Sequence, residues 1–145
     1  MQMKKILTTI LPLLLCVTLC CTGCLRSPHE GSTDGVQIET VGSALYTKQD
    51  IDDAIAVILK DFKSFTDCTL TRIAYAGDEL TQQEIEAHRE GYESWGEFDE
   101  LIVLLSDFTV DGDQNDSLTE GTYTGWNWIL VREDGGAWRH MDHGY

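Results

Sequence analysis

The segment from Leu101 to Val110 constrains the fold most, because it is the most hydrophobic stretch of the chain after residue 24. Its first five residues, Leu-Ile-Val-Leu-Leu, form an unbroken apolar run of strand length. An alternating pattern would indicate a strand with one face in water, whereas a continuous run indicates a strand that is covered on both faces. We therefore expect a central strand here.

Two segments predict helices. Thr47 and Asp50 have the spacing of an N-terminal capping box, and a single apolar stripe follows over residues 51–62. Thr81 and Glu84 repeat the capping pattern and predict that a second, weaker helix starts there.

Three more segments predict strands, namely Cys68 to Ala76, Trp126 to Arg132 and Trp138 to His143. The last two are joined by Asp134-Gly135-Gly136, which is a strong hairpin signal. The order is then helix, strand, helix and three strands. It predicts an α+β fold, with two helices packed on one face of a mostly antiparallel four-stranded sheet.

The hairpin also predicts which strand residues share a face. A two-residue turn is possible at either Asp134-Gly135 or Gly135-Gly136. Both registers place Trp126 and Trp128 on the face opposite Ile129, Val131 and Trp138. We expect the second face to meet the helices, because its β-branched residues make a compact packing surface. The two tryptophans would then lie on an outer face, suited to a partner or a second copy. The alternative is that they fill the core.

The first 23 residues have the pattern of a secretory signal. Lys4 and Lys5 precede an apolar run over residues 6–21, which is shorter than the ~20 residues that span a bilayer. No alanine occurs before Ala44, so the usual small-residue cleavage site is missing. The alternative interpretation is an uncleaved anchor helix.

Cys21-Thr22-Gly23-Cys24 resembles a lipobox, the site where bacterial lipoprotein precursors are lipidated and cut before the cysteine. The resemblance implies that Cys24 carries a diacylglycerol, and that acyl chains such as palmitate anchor the protein stably. It places the protein on the outer face of the bacterial cytoplasmic membrane.

Residues 24–44 are expected to form a lipidated flexible tether, because this segment is rich in Ser, Gly, Thr and Pro. A short edge strand around Ile38 is compatible with its alternating pattern. Residues 45–145 then form a single globular domain. Cys68 is the one cysteine left free after processing and lipidation, so burial alone must hold the fold.

The acidic composition excludes some partners. The chain has 10 lysines and arginines against 25 aspartates and glutamates, and loss of Lys4 and Lys5 with the signal lowers the net charge from −15 to −17. Such a charge repels nucleic acid, so we expect no nucleic-acid partner. It favours solubility, a cationic partner or loosely held metal ions.

The sequence predicts no specific metal site. His140 and His143 lie three apart on a predicted strand, so their side chains should point to opposite faces and not share an ion. A closed zinc site needs four ligands. The loop from Asp111 to Asp116 has Asp116 and Thr122 where a calcium-binding EF-hand loop has Gly and Glu. We expect no metal or other cofactor.

The element order, with its tryptophan-rich ending from Trp126 to Trp138, resembles the cystatin/NTF2-like group of small domains and small lipoprotein domains of gut Firmicutes. This resemblance implies two classes of function. One is a non-enzymatic module that binds a ligand or protein partner, or forms a homodimer. The other is a pocket enzyme that uses a carboxylate or histidine as general base.

The candidate residues serve both classes. Asp107, His140 and Asp142 each interrupt a predicted strand, and burial in an apolar pocket would suit one of them to act as a base. Their alternative interpretation is a solvent-facing position on an alternating strand. We expect a binding module without catalytic residues. Its expected ligand or partner contacts are Trp126, Trp128, Asp107, His140 and Asp142.

Overall fold

The computed structural model describes residues 29–88, 93–112 and 118–145, in which the predicted α+β class is confirmed. The elements in chain order are β1 (Gln37–Glu39), α1 (Lys48–Asp61), β2 (Cys68–Tyr75), α2 (Asp78–Ala87), β3 (Glu100–Val110), β4 (Gly121–Arg132) and β5 (Arg139–Gly144). Short 3₁₀ turns at Phe62–Ser64 and Glu93–Trp95 complete the described chain.

The described strands form one sheet of five strands in the order β1-β2-β3-β4-β5. β1 pairs in parallel with β2, and every other neighbour is antiparallel. The four-strand prediction is therefore one strand short. The additional strand, β1, comes from the segment that was predicted to be a tether, although its position matches the edge strand allowed around Ile38.

The two helices lie on opposite faces of the sheet, so the prediction that both pack on one face is wrong. Ile102 and Leu104 belong to the apolar cluster of α1, whereas Leu101 and Val103 belong to the cluster of Leu80 and Ile85 around α2. The physical reason lies in β3 itself. A central strand that is apolar on both faces needs a covering layer on each side.

α1 forms as its sequence predicts. Thr47 Oγ1 accepts a hydrogen bond from the Asp50 N–H (3.2 Å), and Asp50 Oδ2 accepts one from the Thr47 N–H (2.9 Å), which completes the capping box. The buried stripe consists of Ile51, Ala54, Ile55 and Ile58.

α2 begins at Asp78, and its N-cap, Gly77, lies four residues before the predicted N-cap, Thr81. Gly77 has φ +96°, and no side chain caps this end. Thr81, the expected cap, is instead a buried residue in the first half of the helix. Asp78 and Glu79 occupy the first turn, where negative charge favours a helix N-terminus. The Asp78 carboxylate also accepts hydrogen bonds from Ser43 Oγ and the Ala44 N–H.

Trp126 and Trp128 lie in the core, so the prediction of an outer tryptophan face is wrong. Their exposed fractions are 9% and 0%, and both belong to the apolar cluster that contains Ile55 of α1. Ile129 and Val131 face α2 instead. Large aromatic side chains remove more apolar surface from water than β-branched ones, so they dominate the thicker core.

The β4–β5 hairpin has an irregular register. Asp134 and Gly135 have φ of +51° and +65°, and the Gly136 N–H donates to the Glu133 carbonyl, as in a two-residue turn. Val131 nevertheless pairs with Arg139, one residue away from either expected register. A bulge at Met141 then restores the expected pairing.

This irregularity moves residues between faces. Trp138 was expected opposite the other tryptophans but joins them in the α1 cluster, and Met141 joins the α2 cluster. His140 and His143, which flank the bulge, both contact Trp128.

Residues 29–44 pack against the domain, so the predicted flexible tether is wrong over this described part. Gly31 N–H donates to the Lys63 carbonyl (3.0 Å), Ser32 forms a bridge with Thr69, and Val36 packs against the core. The signal segment and Cys24 lie outside the described residues. In the described ranges, no helix is long and apolar enough to cross a membrane.

Candidate functional sites

Asp107 is tied into the sheet. Its carboxylate accepts a hydrogen bond from the Gly125 N–H (2.8 Å) and lies 3.7 Å from Arg72 Nη1. The register between β3 and β4 shifts beside it, between Ser106 and Phe108. The Asp107 carboxylate therefore stabilises an irregular part of the sheet, a structural role that its strand-interrupting position did not distinguish from a catalytic one.

The two tryptophans line a core rather than a partner surface. Trp128 Nε1–H donates to the buried Ser106 Oγ (2.7 Å). Trp126 Nε1 is also buried and has no hydrogen-bond partner among the described residues. Both rings contact the His143 ring, at centroid distances of 6.0 Å and 5.3 Å. They form an apolar wall behind the histidines of β5.

A cleft of about 370 Å³ lies between the C-terminal end of α1 and β5, and we call it the histidine cleft. It is lined by Lys60, Asp61, Lys63, Ser64, Phe65, His140 and His143. Of the three predicted base candidates, His140 lines it, and Asp107 and Asp142 do not. Asp142 is exposed, and its carboxylate accepts the His143 N–H (2.8 Å).

The histidine cleft contains a chain of three side chains. Asp61 Oδ2 lies 3.2 Å from His140 Nδ1, and His140 Nε2 lies 3.3 Å from His143 Nδ1. Burial, followed by the proximity of His140, lowers the pKa of His143. The prediction that the two histidines point to opposite faces is wrong, because the bulge at Met141 turns both towards α1.

A groove of about 720 Å³ runs along the outer side of α2, and we call it the α2 groove. It is lined by Leu45, Glu79, Gln82, Gln83, Ile85 and Glu86. Leu45 is 41% exposed and is one of three exposed large hydrophobic residues among those described. Its lining therefore combines apolar contact, amide hydrogen-bonding groups and two carboxylates.

The charges of α2 all have one sign. Its ionisable residues are Asp78, Glu79, Glu84 and Glu86. Glu84 lies 3.4 Å from His88 Nδ1, and Asp78 is held by Ser43. No lysine or arginine lies between Asp78 and Ala87 to offset this charge. The field along this helix attracts cations.

No three or more His, Cys, Asp or Glu side chains are arranged to hold a metal ion within the described ranges. The histidine cleft thus offers two imidazole nitrogens and one carboxylate that contacts an imidazole.

Comparisons with protein-family models, with curated proteins and with solved structures gave no match. The cystatin/NTF2-like resemblance stays a prediction.

Sequence reasoning missed both concave sites. The acidic residues of α2 were a signal for the α2 groove. The predicted helix start at Thr81 left Asp78 and Glu79 outside the helix, so this signal was missed. Asp61 is a polar residue outside the apolar stripe that predicts α1. Its contact with His140 of β5 joins residues 79 apart in sequence and depends on how α1 is oriented on the sheet. The pairing of His140 with His143 depends on a bulge that hairpin rules do not predict.

Proposed function

We propose that the protein is a lipid-anchored, non-enzymatic binding module that holds a basic segment of a protein partner in the α2 groove. The observation that carries this proposal is the lining of the groove. Two carboxylates and two amides surround exposed apolar surface, in a chain whose net charge is −15. A peptide that alternates basic and apolar side chains has the complementary chemistry.

The anchor rests on the N-terminal sequence, with Cys24 as the lipidated residue. Four residues, 25–28, separate Cys24 from the first described residue. A fully extended chain spans this interval over at most about 17 Å. An anchored domain would therefore stay close to the outer face of the cytoplasmic membrane, with the His29 end nearest the lipid.

This placement leaves the α2 groove accessible. His29 is bonded to Asp67, directly before β2, whereas α2 begins after the opposite end of that strand. The eight residues of β2 extend about 26 Å. The groove would thus face away from the membrane, where a partner can reach it.

The pocket-enzyme alternative has less support. An enzyme of that kind needs an apolar cavity between the sheet and a helix, and Trp128 occupies this space beneath α1 with no exposed surface. Asp107 and Asp142 serve as hydrogen-bond acceptors for backbone N–H groups. His140, the third candidate, lies in the histidine cleft, where its two ring nitrogens contact Asp61 and His143. We therefore propose a catalytic role for none of the three.

The groove can be tested with a synthetic ten-residue peptide of alternating lysine and leucine. Its affinity for the full chain in neutral detergent is measured by fluorescence anisotropy. Glu79→Gln/Glu86→Gln should weaken binding about tenfold, because two exposed charge pairs are lost. Glu30→Gln/Glu120→Gln changes the net charge equally at exposed positions outside the groove and should weaken binding less than about twofold. Equal effects of the two pairs would contradict a specific groove.

The anchor has a separate test. Cys24→Ala should abolish acyl labelling and shift the protein from the detergent phase to the aqueous phase, because a single residue carries both acyl chains. Undiminished labelling in Cys24→Ala would contradict the lipid anchor and leave the groove proposal standing.

A further inference from the structure

We propose that the histidine cleft is a zinc-binding site, with His140 Nε2 and His143 Nδ1 as its two protein ligands and Asp61 as the carboxylate that orients His140. This site is independent of the α2 groove. It lies on the other face of the sheet and uses none of the same residues.

The backbone brings the two imidazoles together. Residues three apart on a regular strand face opposite sides of the sheet. The bulge in β5 inserts Met141 as an extra residue, so His140 and His143 both contact the Trp128 ring, at centroid distances of 5.2 Å and 5.3 Å. β-bulges often occur where a side chain must be redirected for function.

The separation of the rings fits two ligands of one tetrahedral ion. With Zn–N bonds of about 2.0–2.1 Å, two such nitrogens lie about 3.3 Å apart and the ring centres about 5.2 Å apart. The observed values are 3.3 Å for the nitrogens and 5.2 Å for the centres. A straight N–H···N hydrogen bond of that length would place the ring centres about 5.5 Å apart. The distances therefore allow one tetrahedral ion to bridge the two nitrogens in place of the N–H···N hydrogen bond.

Asp61 fixes the state of His140 that binds metal. A carboxylate only accepts hydrogen bonds, so the contact at 3.2 Å places the hydrogen on His140 Nδ1 and leaves a lone pair on Nε2. Metal-binding histidines usually donate their second ring N–H to such an acceptor. The Asp61 side chain is 38% exposed and that of His140 is 15% exposed, so the pair is shielded but reachable.

The surroundings suit a cation with an open coordination sphere. The cleft lies at the C-terminal end of α1, where the helix dipole favours positive charge. Phe65 and Trp128 exclude water on one side of the His143 ring. With two protein ligands, the remaining positions are open to water or an anion. Lys60 and Lys63 line the same cleft and oppose a cation by charge, so an anionic co-ligand is needed to offset them.

The test measures Zn²⁺ affinity of the metal-free full chain in neutral detergent, by competition with a chromophoric chelator and without peptide. We expect one equivalent of Zn²⁺. His140→Ala and His143→Ala should each weaken binding at least about thirtyfold, and Asp61→Asn about 10–100-fold. His88→Ala is the matched control, because His88 caps the C-terminal end of α2 outside the cleft. It should change affinity less than twofold.

A readout on the unmodified chain covers the case in which a histidine variant does not fold. Zn²⁺ should shift the NMR ring resonances of His140 and His143 and leave those of His88 in place. If these two rings do not respond, the 3.3 Å contact is a hydrogen bond only and the zinc site is rejected. Unchanged affinity in folded His140→Ala would reject it equally.

Discussion

The two faces of the sheet differ in how they are covered. The α1 face buries Trp126, Trp128 and Trp138 under a helix with a complete capping box. On the α2 face, the apolar cluster has four buried members among the described residues: Leu101, Val103, Ile129 and Val131. The helix above them lacks a side-chain cap, and its apolar residues Leu80 and Ile85 are only half-buried. We infer that the α1 face supplies most of the stability and that the α2 face can accept a partner.

Ion pairs also attach α1 to the sheet. Arg132 binds Glu100 through two hydrogen bonds of 2.9 Å and 2.6 Å and binds Asp50 at 2.6 Å, and it lies 4.3 Å above the Trp138 ring. Through these contacts the N-terminal end of α1 is attached to β3 and β4. Trp138 Nε1–H adds a hydrogen bond to the Asp50 carbonyl (2.9 Å).

The largest expected effect is the loss of Trp128. Trp128→Ala should lower the free energy of unfolding by about 3–5 kcal/mol, because it empties a fully buried site and leaves Ser106 Oγ without its donor. Urea denaturation followed by circular dichroism measures this loss. Trp95→Ala, at a half-buried tryptophan on the α2 face, is the control and should cost clearly less. Equal losses would remove the distinction between the faces.

A second comparison uses the same substitution in both helices. Ile55→Ala removes a side chain that is 3% exposed and should cost about 2–5 kcal/mol. Ile85→Ala removes a half-buried side chain and should cost about 1 kcal/mol, since less apolar area is lost from burial. Thermal unfolding of the two variants, side by side, ranks them. A larger cost for Ile85→Ala would reverse our assignment of the stabilising face.

The smallest expected effect is a pH dependence. Hydrogen bonds from Thr47 and Arg132 hold the pKa of Asp50 at about 2, against an ordinary value of 3.8. The ionised Asp50 therefore stabilises the fold fully above pH 4, and this contribution is lost as the pH falls towards 2. Asp50→Asn should remove about 1 kcal/mol at neutral pH and flatten the acid limb of the stability curve.

The control for this prediction is Asp53→Asn. Asp53 is exposed on the same helix and accepts a hydrogen bond from Gln49 alone among the described residues. Urea midpoints measured at several pH values should retain the acid limb in this variant. If Asp50→Asn retains it as well, other carboxylates are responsible.

Local patterns in the sequence were sufficient for part of this structure. The capping box at Thr47 and the central position of Leu101 to Leu105 follow from interactions within a few residues, and both predictions were right. The burial of β3 on both faces also implied a layer on each side. The prediction that both helices pack on one face conflicts with this pattern, and the structure confirms the pattern.

The remaining errors have non-local causes. The bulge at Met141 shifts the register that the turn at Asp134-Gly135 predicts. Trp138, at the start of this hairpin strand, donates a hydrogen bond to Asp50 of α1, 88 residues away in sequence. β1 pairs with β2 across more than thirty residues, so its polar, glycine-rich surroundings did not distinguish it from a tether. The histidine cleft has non-local causes as well, since it needs both the bulge in β5 and the orientation of α1.

Hydrogen–deuterium exchange of the full chain, with and without the lysine–leucine peptide, tests the division between the faces most directly. In the free protein, we expect amides of α1 to exchange slowest and those of α2 at least about a hundredfold faster, because α2 covers a thinner core. Addition of the peptide should slow exchange over Asp78–Ala87 and leave α1 unchanged. Protection that appears on α1 or β5 instead, or equal exchange of the two helices in the free protein, would contradict this account.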